Sequence, residues 1–107
     1  LFYDTNNKIT VRMDAYTSNS NASVTMASGW THVAFTADGT TVKTYINGLL
    51  DKSDTNSALP SNTNSQGPRI GINAGNGEPF NGLIDDVRVY NRALSAGEVN
   101  KLYQMGR

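Results

Sequence analysis

The side chains that could take part in acid–base catalysis are few in this sequence and lie far apart. Asp85 and Asp86 are adjacent, and the only two glutamates are Glu78 and Glu98. Adjacent residues of a β-strand point to opposite faces, so Asp85 and Asp86 would not share one acid–base pocket. Glu78 falls in a predicted loop and Glu98 at a predicted helix start. Because no carboxyl group is an obvious general acid with a raised pKa, we predict that the chain is not an enzyme.

The single histidine, His32, lacks the partners that catalysis or metal binding would need. The chain has no cysteine, and neither a nucleophile nor a carboxylate lies at motif spacing from His32. Trp30 could stack on a sugar ring, but its place at the start of a patterned strand favours a packing role. We therefore interpret both residues as structural. Without cysteine, no disulfide and no thiolate metal site can stabilise the fold.

The segment 73–81 contains the best candidates for ligand binding. A sugar is bound by an aromatic ring that stacks on its apolar face, and by amides and carboxylates that bond its hydroxyl groups. This glycine-rich loop offers both kinds of side chain. The predicted ligand-binding residues are Asn73, Asn76, Glu78, Phe80 and Asn81. Tyr16 and Tyr90 are further aromatics that could contribute.

The composition favours a β-rich domain with many turns. The chain has 107 residues, among them 13 Asn, 11 Thr, 10 Gly and 9 Ser, but only four Lys and two Glu. Threonine favours strands, whereas Asn, Ser and Gly favour turns. Lysine-poor β-domains of this kind are common outside cells, so we predict an extracellular, secreted or surface-associated protein.

The charge balance and the apolar runs argue against two classes of partner. Nine Lys and Arg residues offset nine Asp and Glu residues, and no basic cluster exists. Nucleic-acid binding needs an excess of Lys and Arg on one face, so we predict no nucleic-acid partner. The apolar runs are far shorter than the ~20 residues of a membrane helix, so we predict no membrane insertion.

Alternation of apolar and polar residues predicts the strands. Ile9, Val11 and Met13 share one face of a strand over 8–14. Turns at 38–39 and 47–48 join strands over 30–37, 41–46 and 49–53 into a meander. The longest predicted strand covers 82–90, and weaker strands are predicted at 1–3, 23–26 and 69–72. Residues 18–21 and 54–68 are predicted to be loops.

The end of the chain carries the single helix signal. Ser95 and Glu98 have the spacing of a capping box, in which each residue bonds the backbone amide of the other. Val99, Leu102 and Tyr103 then fall on one apolar stripe. We expect a short helix that packs against the sheets.

Three stretches of the sequence together form a recognisable pattern. They are GWTHVAFT at 29–36, YING at 45–48 and FNGLIDDVRVYNRALS at 80–95, with Glu98 and Leu102-Tyr103 following. In order and spacing they resemble the laminin-G-like, or concanavalin A-like, lectin domains of secreted and surface proteins. The resemblance implies an all-β fold, an antiparallel jelly-roll β-sandwich with one short C-terminal helix.

The resemblance also implies a function. It suggests a non-catalytic recognition or adhesion module that binds carbohydrate or a protein partner at a cell or particle surface. A structural jelly-roll component of a larger surface or virion assembly is an alternative. Part of a glycoside hydrolase is a third, although hydrolases of this fold carry closely spaced Glu and Asp residues on one strand face.

The resemblance implies calcium as a possible cofactor, because some relatives bind it through Asp and carbonyl oxygens at the sandwich rim. Asp85 is the candidate metal ligand, with support from the oxygen-bearing side chains of the 73–81 segment. The competing and favoured interpretation is an ion pair of Asp85 or Asp86 with Arg88 or Arg92.

Domains of the resembling family begin with several strands that have no counterpart here. We therefore expect residues 1–107 to be one laminin-G-like jelly-roll domain that lacks its N-terminal strands. Apolar faces and strand edges would then stay uncovered until a missing segment or a partner chain completes the sandwich.

Overall fold

The computed structural model describes residues 2–3, 6–13, 16–24, 29–55, 68–72, 77 and 79–106. One three-stranded sheet comprises β1 (Phe2–Tyr3), β2 (Ile9–Met13) and β3 (Tyr16–Asn19), in that order. A second comprises β4 (Val33–Ala37), β5 (Thr41–Ile46) and β6 (Leu49–Thr55). Helix α1 (Ala96–Met105) follows. Every strand pairing is antiparallel, which confirms the predicted all-β class with one C-terminal helix.

The β4–β5–β6 meander forms where the turn residues predict it. At the first turn the Asp38 carboxylate accepts hydrogen bonds from the amides of Thr40 and Thr41, at 3.1 and 2.8 Å. At the second turn Asn47 and Gly48 have φ angles of 49° and 77°, the pair of positive values that a type I′ turn requires. The two-residue turn sets the register in which Ile46 faces Leu49.

In the first sheet, polar side chains bond each other across the β2–β3 pair. The Thr10 hydroxyl bonds the Asn19 side chain at 3.0 Å across β2 and β3, and Arg12 Nε donates to Thr17 Oγ1 at 3.3 Å. The prediction of a loop over 18–21 is therefore wrong at residues 18–19. Asn and Ser favour turns in general, but here their side chains find partners across the ladder.

The core lies on the two central strands and under the helix. Val11 of β2, Val42 and Tyr45 of β5, and Val99 of α1 are each at most 1% exposed. Ser20 is buried beside them, where its hydroxyl accepts from the Ile9 amide at 3.0 Å and donates to the Ala22 carbonyl at 2.7 Å. Val99 lies on the apolar stripe predicted for α1, whereas burial in β2 does not follow the predicted alternation, because Thr10 on the opposite face is only 2% exposed.

Two carboxylates of β6 join the sheets. Asp51 accepts from the backbone amides of Asn21 and Ala22, at 2.6 and 2.8 Å. Asp54 accepts from the Tyr16 hydroxyl at 3.0 Å and from the Ser18 hydroxyl. Because β3 and β6 are edge strands of their sheets, these bonds connect the sheets along adjacent edges.

Five further sequence predictions differ from the structure, and the first is that residues 54–55, predicted to be loop, belong to β6. Residues 82–90 and 69–72 form no strand, and residues 23–24 are likewise not in a strand, whereas 25–26 lie outside the described residues. Trp30, predicted to pack at the start of a strand, precedes β4 and is 69% exposed. Alternation decides which side chains share a face, but a strand also needs a neighbouring strand to pair its backbone, and the described chain supplies none there.

Candidate ligand-binding site

The predicted ligand rim is described only at its end. Asn73, Asn76 and Glu78 lie outside the described residues. Phe80 is half-buried, and its amide donates to the Gly71 carbonyl at 2.7 Å. Asn81, next to it, is exposed. The described part of the rim thus offers an anchored aromatic residue and one accessible amide.

Close packing at Gly71 fixes the position of Phe80. Gly71 has a φ of 82°, and a Cβ added there would lie 3.6 Å from Phe80 Cβ and 3.0 Å from Ile84 Cδ1. A side chain at this position would therefore press on Ile84 as well as strain the backbone. Glycine thus allows residue 71 to lie close to Phe80 and Ile84.

Asp85, the predicted metal ligand, is exposed and already bonds the backbone of the next residue. Its Oδ1 accepts from the Asp86 amide at 2.7 Å, while Asp86 adopts a φ of 52°. The ion pair favoured from the sequence forms at Asp86, whose two oxygens each accept from Arg88 at 3.2 Å. No group of three His, Asp or Glu side chains suited to a metal occurs within the described ranges. The assignment of Asp85 to calcium stays a prediction.

A shallow pocket of about 200 Å³ lies between the end of the 83–90 segment and helix α1. Its lining residues are Tyr90, Arg92, Leu94, Glu98, Lys101 and Leu102. Arg92 and Glu98 form a two-pronged ion pair with bonds of 3.0 and 2.8 Å. The Arg92 bonds, helped by the Ser95 amide, lower the pKa of Glu98 to about 2. At neutral pH Glu98 therefore carries its negative charge beside Arg92.

This pocket is not predicted from the sequence, in which Glu98 has the spacing of a capping box. The structure confirms the capping box, since the Ser95 hydroxyl accepts from the Glu98 amide at 3.2 Å. Arg92 precedes the helix, so the i,i+4 rule, which applies to ion pairs within a helix, does not predict its pairing with Glu98. The one available signal was an arginine shortly before a capping glutamate.

His32 lies where β4, the second turn and the helix meet. Its amide donates to Asn47 Oδ1 at 3.0 Å, and its ring lies 5.9 Å from that of Tyr103. The Nδ1 atom is buried without a hydrogen-bond partner among the described residues. Burial lowers the pKa of His32; the nearby Asp86 charge opposes this shift, and the Arg88 charge adds to it. The ring is held mainly by packing, in keeping with the structural role predicted for it.

The family is settled by comparison with known domains. A family model described as the concanavalin A-like lectin/glucanases superfamily matches residues 1–100. The chain belongs to this superfamily. Its members include enzymes and non-enzymes, and laminin-G-type domains are usually non-catalytic. The jelly-roll β-sandwich inferred from the three motif stretches is thereby confirmed.

This concanavalin A-like domain also resembles a solved structure. The crystal structure of an S-layer domain-containing protein (residues 221–444) from Clostridium thermocellum matches with 32% identity and a TM-score of 0.62. The match covers 82% of this chain and 45% of that one, so this chain spans less than half of the solved chain. No curated protein sequence gives a significant match. Within the described residues, no helix has the length and apolarity to cross a bilayer.

Proposed function

We propose that this domain is a non-catalytic recognition or adhesion module, displayed at a cell or particle surface, that binds carbohydrate or a protein partner. The observation that carries the proposal is the 32% identity to an S-layer domain-containing protein within a lectin/glucanase superfamily. The same likeness supports an extracellular, secreted or surface-associated location as part of the proposal.

The state of the carboxylates supports a non-catalytic role. Each Asp or Glu side chain in the described ranges accepts a hydrogen bond from the protein. Hydrogen bonds lower the pKa of Asp38, Asp54 and Glu98, the opposite of what a general acid needs. These carboxylates stabilise turns, sheet contacts and the helix cap.

We propose the 73–81 loop as the ligand rim, formed by Asn73, Asn76, Glu78, Phe80 and Asn81. The anchored Phe80 ring and the exposed Asn81 amide are the two kinds of group that sugar binding uses. A calcium ion held by Asp85 together with oxygens of this loop is part of the proposal, since hard oxygen ligands suit that cation. Tyr90, 45% exposed at the neighbouring pocket, offers a second aromatic surface.

Glycan-array binding of the wild-type chain, with and without EDTA, tests this function. We expect Asn81→Ala and Glu78→Ala to weaken binding by roughly tenfold, about the loss of one or two good hydrogen bonds. Asn91→Ala is the matched control, because Asn91 is exposed but outside the rim and the pocket. Binding that survives both rim variants but disappears in Tyr90→Ala would move the site to the pocket. A loss on EDTA addition would support the calcium ion.

A structural role in a larger surface or virion assembly is the second candidate, favoured by the similarity to an S-layer domain-containing protein. It predicts no glycan binding and cross-links to neighbouring subunits when the intact surface is treated. Glycoside hydrolysis is a third and weaker candidate. Release of reducing sugar by the intact parent protein would establish it and overturn the non-catalytic proposal.

A further inference from the structure

The sequence contains three asparagine–glycine pairs, and two of them lie within the described residues. They are Asn47-Gly48 at the second turn of the meander and Asn81-Gly82 at the end of the 73–81 segment. In such a pair the asparagine can lose its side-chain amide without an enzyme, because glycine has no side chain to hinder attack by its own backbone nitrogen. The surroundings of the two pairs decide how readily each one reacts.

The reaction, deamidation, has two steps. First, the backbone nitrogen of the glycine attacks the side-chain carbonyl carbon of the asparagine. A carbon–nitrogen bond closes a succinimide ring, and the side-chain nitrogen leaves as ammonia with the proton that the backbone amide gives up. Water then adds to either ring carbonyl and opens the ring to aspartate or isoaspartate. Nothing is oxidised or reduced, and water is the sole co-reactant. The ring closes only when the backbone and the side chain rotate together, so contacts that hold either one slow the reaction.

Asn47 is held by hydrogen bonds and by the neighbouring helix. Its Oδ1 atom accepts from the His32 amide at 3.0 Å, and its own amide donates to the His32 carbonyl at 2.8 Å. Gly48 lies so close to the helix that a Cβ added there would be 2.8 Å from Tyr103 Cδ1. Rotation of this turn would break the bonds to His32 and displace the helix. Asn47 can therefore react only from a locally opened state.

Asn81 has none of these constraints. Asn81 and Gly82 are both exposed and lie in no strand or helix, and neither forms a hydrogen bond with another described residue. We propose that Asn81 is a site of spontaneous deamidation, which converts it through a succinimide to aspartate and isoaspartate in the folded protein while Asn47 is preserved.

The product changes the charge and the hydrogen-bonding capacity of the 73–81 segment. A carboxylate replaces the Asn81 amide, so a chain whose formal net charge is zero becomes negatively charged. A group with two N–H donors becomes one that only accepts. Isoaspartate also lengthens the main chain by a methylene group next to Gly82. The reaction needs no ligand, so it is independent of the function proposed for this segment.

Peptide mapping by mass spectrometry tests the proposal. The folded chain is incubated in mildly alkaline buffer, and fragment masses follow the conversion of Asn47 and Asn81 in the same samples. We expect Asn81 to be converted roughly tenfold faster than Asn47, or more, because only Asn47 must wait for local opening. Equal rates, or a faster reaction at Asn47, would overturn the proposal.

The same measurement in concentrated urea separates the effect of the fold from that of the sequence. Once the contacts of Asn47 are removed, both pairs react as flexible chain, so the ratio of the two rates should fall close to one. A ratio that urea leaves unchanged would contradict the proposal, since the contacts of the fold would then not be its cause.

A pair of variants tests the attacking atom. Gly82→Ala places a methyl group beside the backbone nitrogen of residue 82, and it should slow the conversion of Asn81 roughly tenfold. Gly97→Ala is the control, because a Cβ added at Gly97, on the helix, would meet only Ser95 Oγ, at 4.0 Å. It should leave the rate at Asn81 unchanged. Conversion of Asn81 at the wild-type rate in Gly82→Ala would show that this nitrogen does not attack, and would overturn the assignment.

Discussion

At the scale of single residues, Gly48 shows how a turn and a helix constrain one position. Its φ of 77° belongs to the type I′ turn, and a Cβ there would lie 2.8 Å from the Tyr103 ring and 3.0 Å from Asn100. The helix packs directly on the turn backbone, and Asn100 Nδ2 donates to the Gly48 carbonyl at 3.4 Å. Glycine is required both for the backbone angle and for the space.

Gly48→Ala should therefore destabilise the domain by about 2–4 kcal/mol, from left-handed strain together with overpacking against the helix. Gly39→Ala is the control. Gly39 has a φ of 95° but nothing within 4 Å of an added Cβ, so it should lose only about 1 kcal/mol. Urea denaturation measures both values. Equal losses would mean that the helix does not pack on the turn.

His32 makes stability depend on pH near neutrality. Burial holds the pKa of His32 below its ordinary value of 6.5, so above pH 6.5 the neutral ring is present in both states and stability is complete. As pH falls below 6.5 the unfolded chain binds a proton that the folded chain does not, so stability decreases until the pH passes below the folded-state pKa. Tyr103 packs against the ring, and Asp86 and Arg88 are the charges that act on it.

We expect the urea midpoint to fall between pH 6.5 and about 5, a range set by the ordinary histidine pKa and by the onset of carboxyl titration. His32→Phe should flatten this part of the profile while keeping an aromatic contact with Tyr103. An NMR titration of the imidazole measures the pKa directly, and a value above 6.5 would contradict the burial-dominated shift.

At the scale of elements, helix α1 depends on its first turn. The reciprocal bonds of Ser95 and Glu98 satisfy two backbone amides, and Arg92 holds the Glu98 carboxylate from outside the helix. Ser95→Ala should cost about 1 kcal/mol of stability, the usual value for loss of a helix cap. Glu98→Gln keeps an acceptor for the Ser95 amide, so it should lose only the ion pair with Arg92. Urea midpoints at neutral pH give the order of the two variants.

The Glu98 pKa of about 2 adds an acid-range prediction. A carboxyl pKa below its ordinary 4.5 contributes stability that is complete above pH 4.5 and is lost as pH falls through about 2. The stability difference between wild type and Glu98→Gln should therefore shrink toward zero at pH 2. A difference that persists unchanged at pH 2 would show that the charge of Glu98 does not stabilise the fold.

Local sequence patterns predicted the turns and the helix cap correctly, but not strand β3 or the conformation of the 83–90 segment. The turns at 38–39 and 47–48 and the capping box depend on interactions within a few residues, so the sequence contains the whole cause, and each prediction is confirmed. Strand β3 and the 83–90 segment depend on a neighbour distant in the chain. Arg12 and Thr10 give β3 its partners, whereas no described strand lies beside 83–90.

At the scale of the whole molecule, polar side chains of β6 connect the two sheets. Asp51 bonds two amides near the end of β3, and Asp54 bonds Tyr16 and Ser18 of that strand. The Ser18 hydroxyl is the main cause of the lowered pKa of Asp54, and Lys52, 3.2 Å away, adds to it. These carboxylates fix how the two sheets meet along their edges.

Asp51→Ala should destabilise the domain by about 1–3 kcal/mol, because two amides lose a charged acceptor. Asp38→Ala is a useful comparison, since Asp38 also bonds two amides but only within its own turn. Amide exchange distinguishes them. We expect Asp51→Ala to accelerate exchange at Asn21 and Ala22, and Asp38→Ala to affect the 38–41 turn alone. Acceleration confined to β6 in the Asp51 variant would show that it does not connect the sheets.

From the sequence, candidate site residues could be chosen only by the chemistry of their side chains. The sequence predicts a ligand rim at 73–81, of which the structure describes Gly77 and residues 79–81, and it predicted the aspartate–arginine pairing that is found at residue 86. It could not predict the pocket beside Tyr90, because Arg92 and Glu98 come together through the path of the chain into the helix.

The sequence by itself determined the β class, both tight turns of the meander, the capped helix and the superfamily. These features arise from contacts between near neighbours, or from motifs whose spacing is fixed. Only the tertiary structure decided that Asp51 and Asp54 join the sheets, that Tyr103 packs on the Gly48 turn, and that residues 83–90 have no partner strand among the described residues. Pairing of distant segments depends on which backbones meet in space, and alternation alone does not encode that.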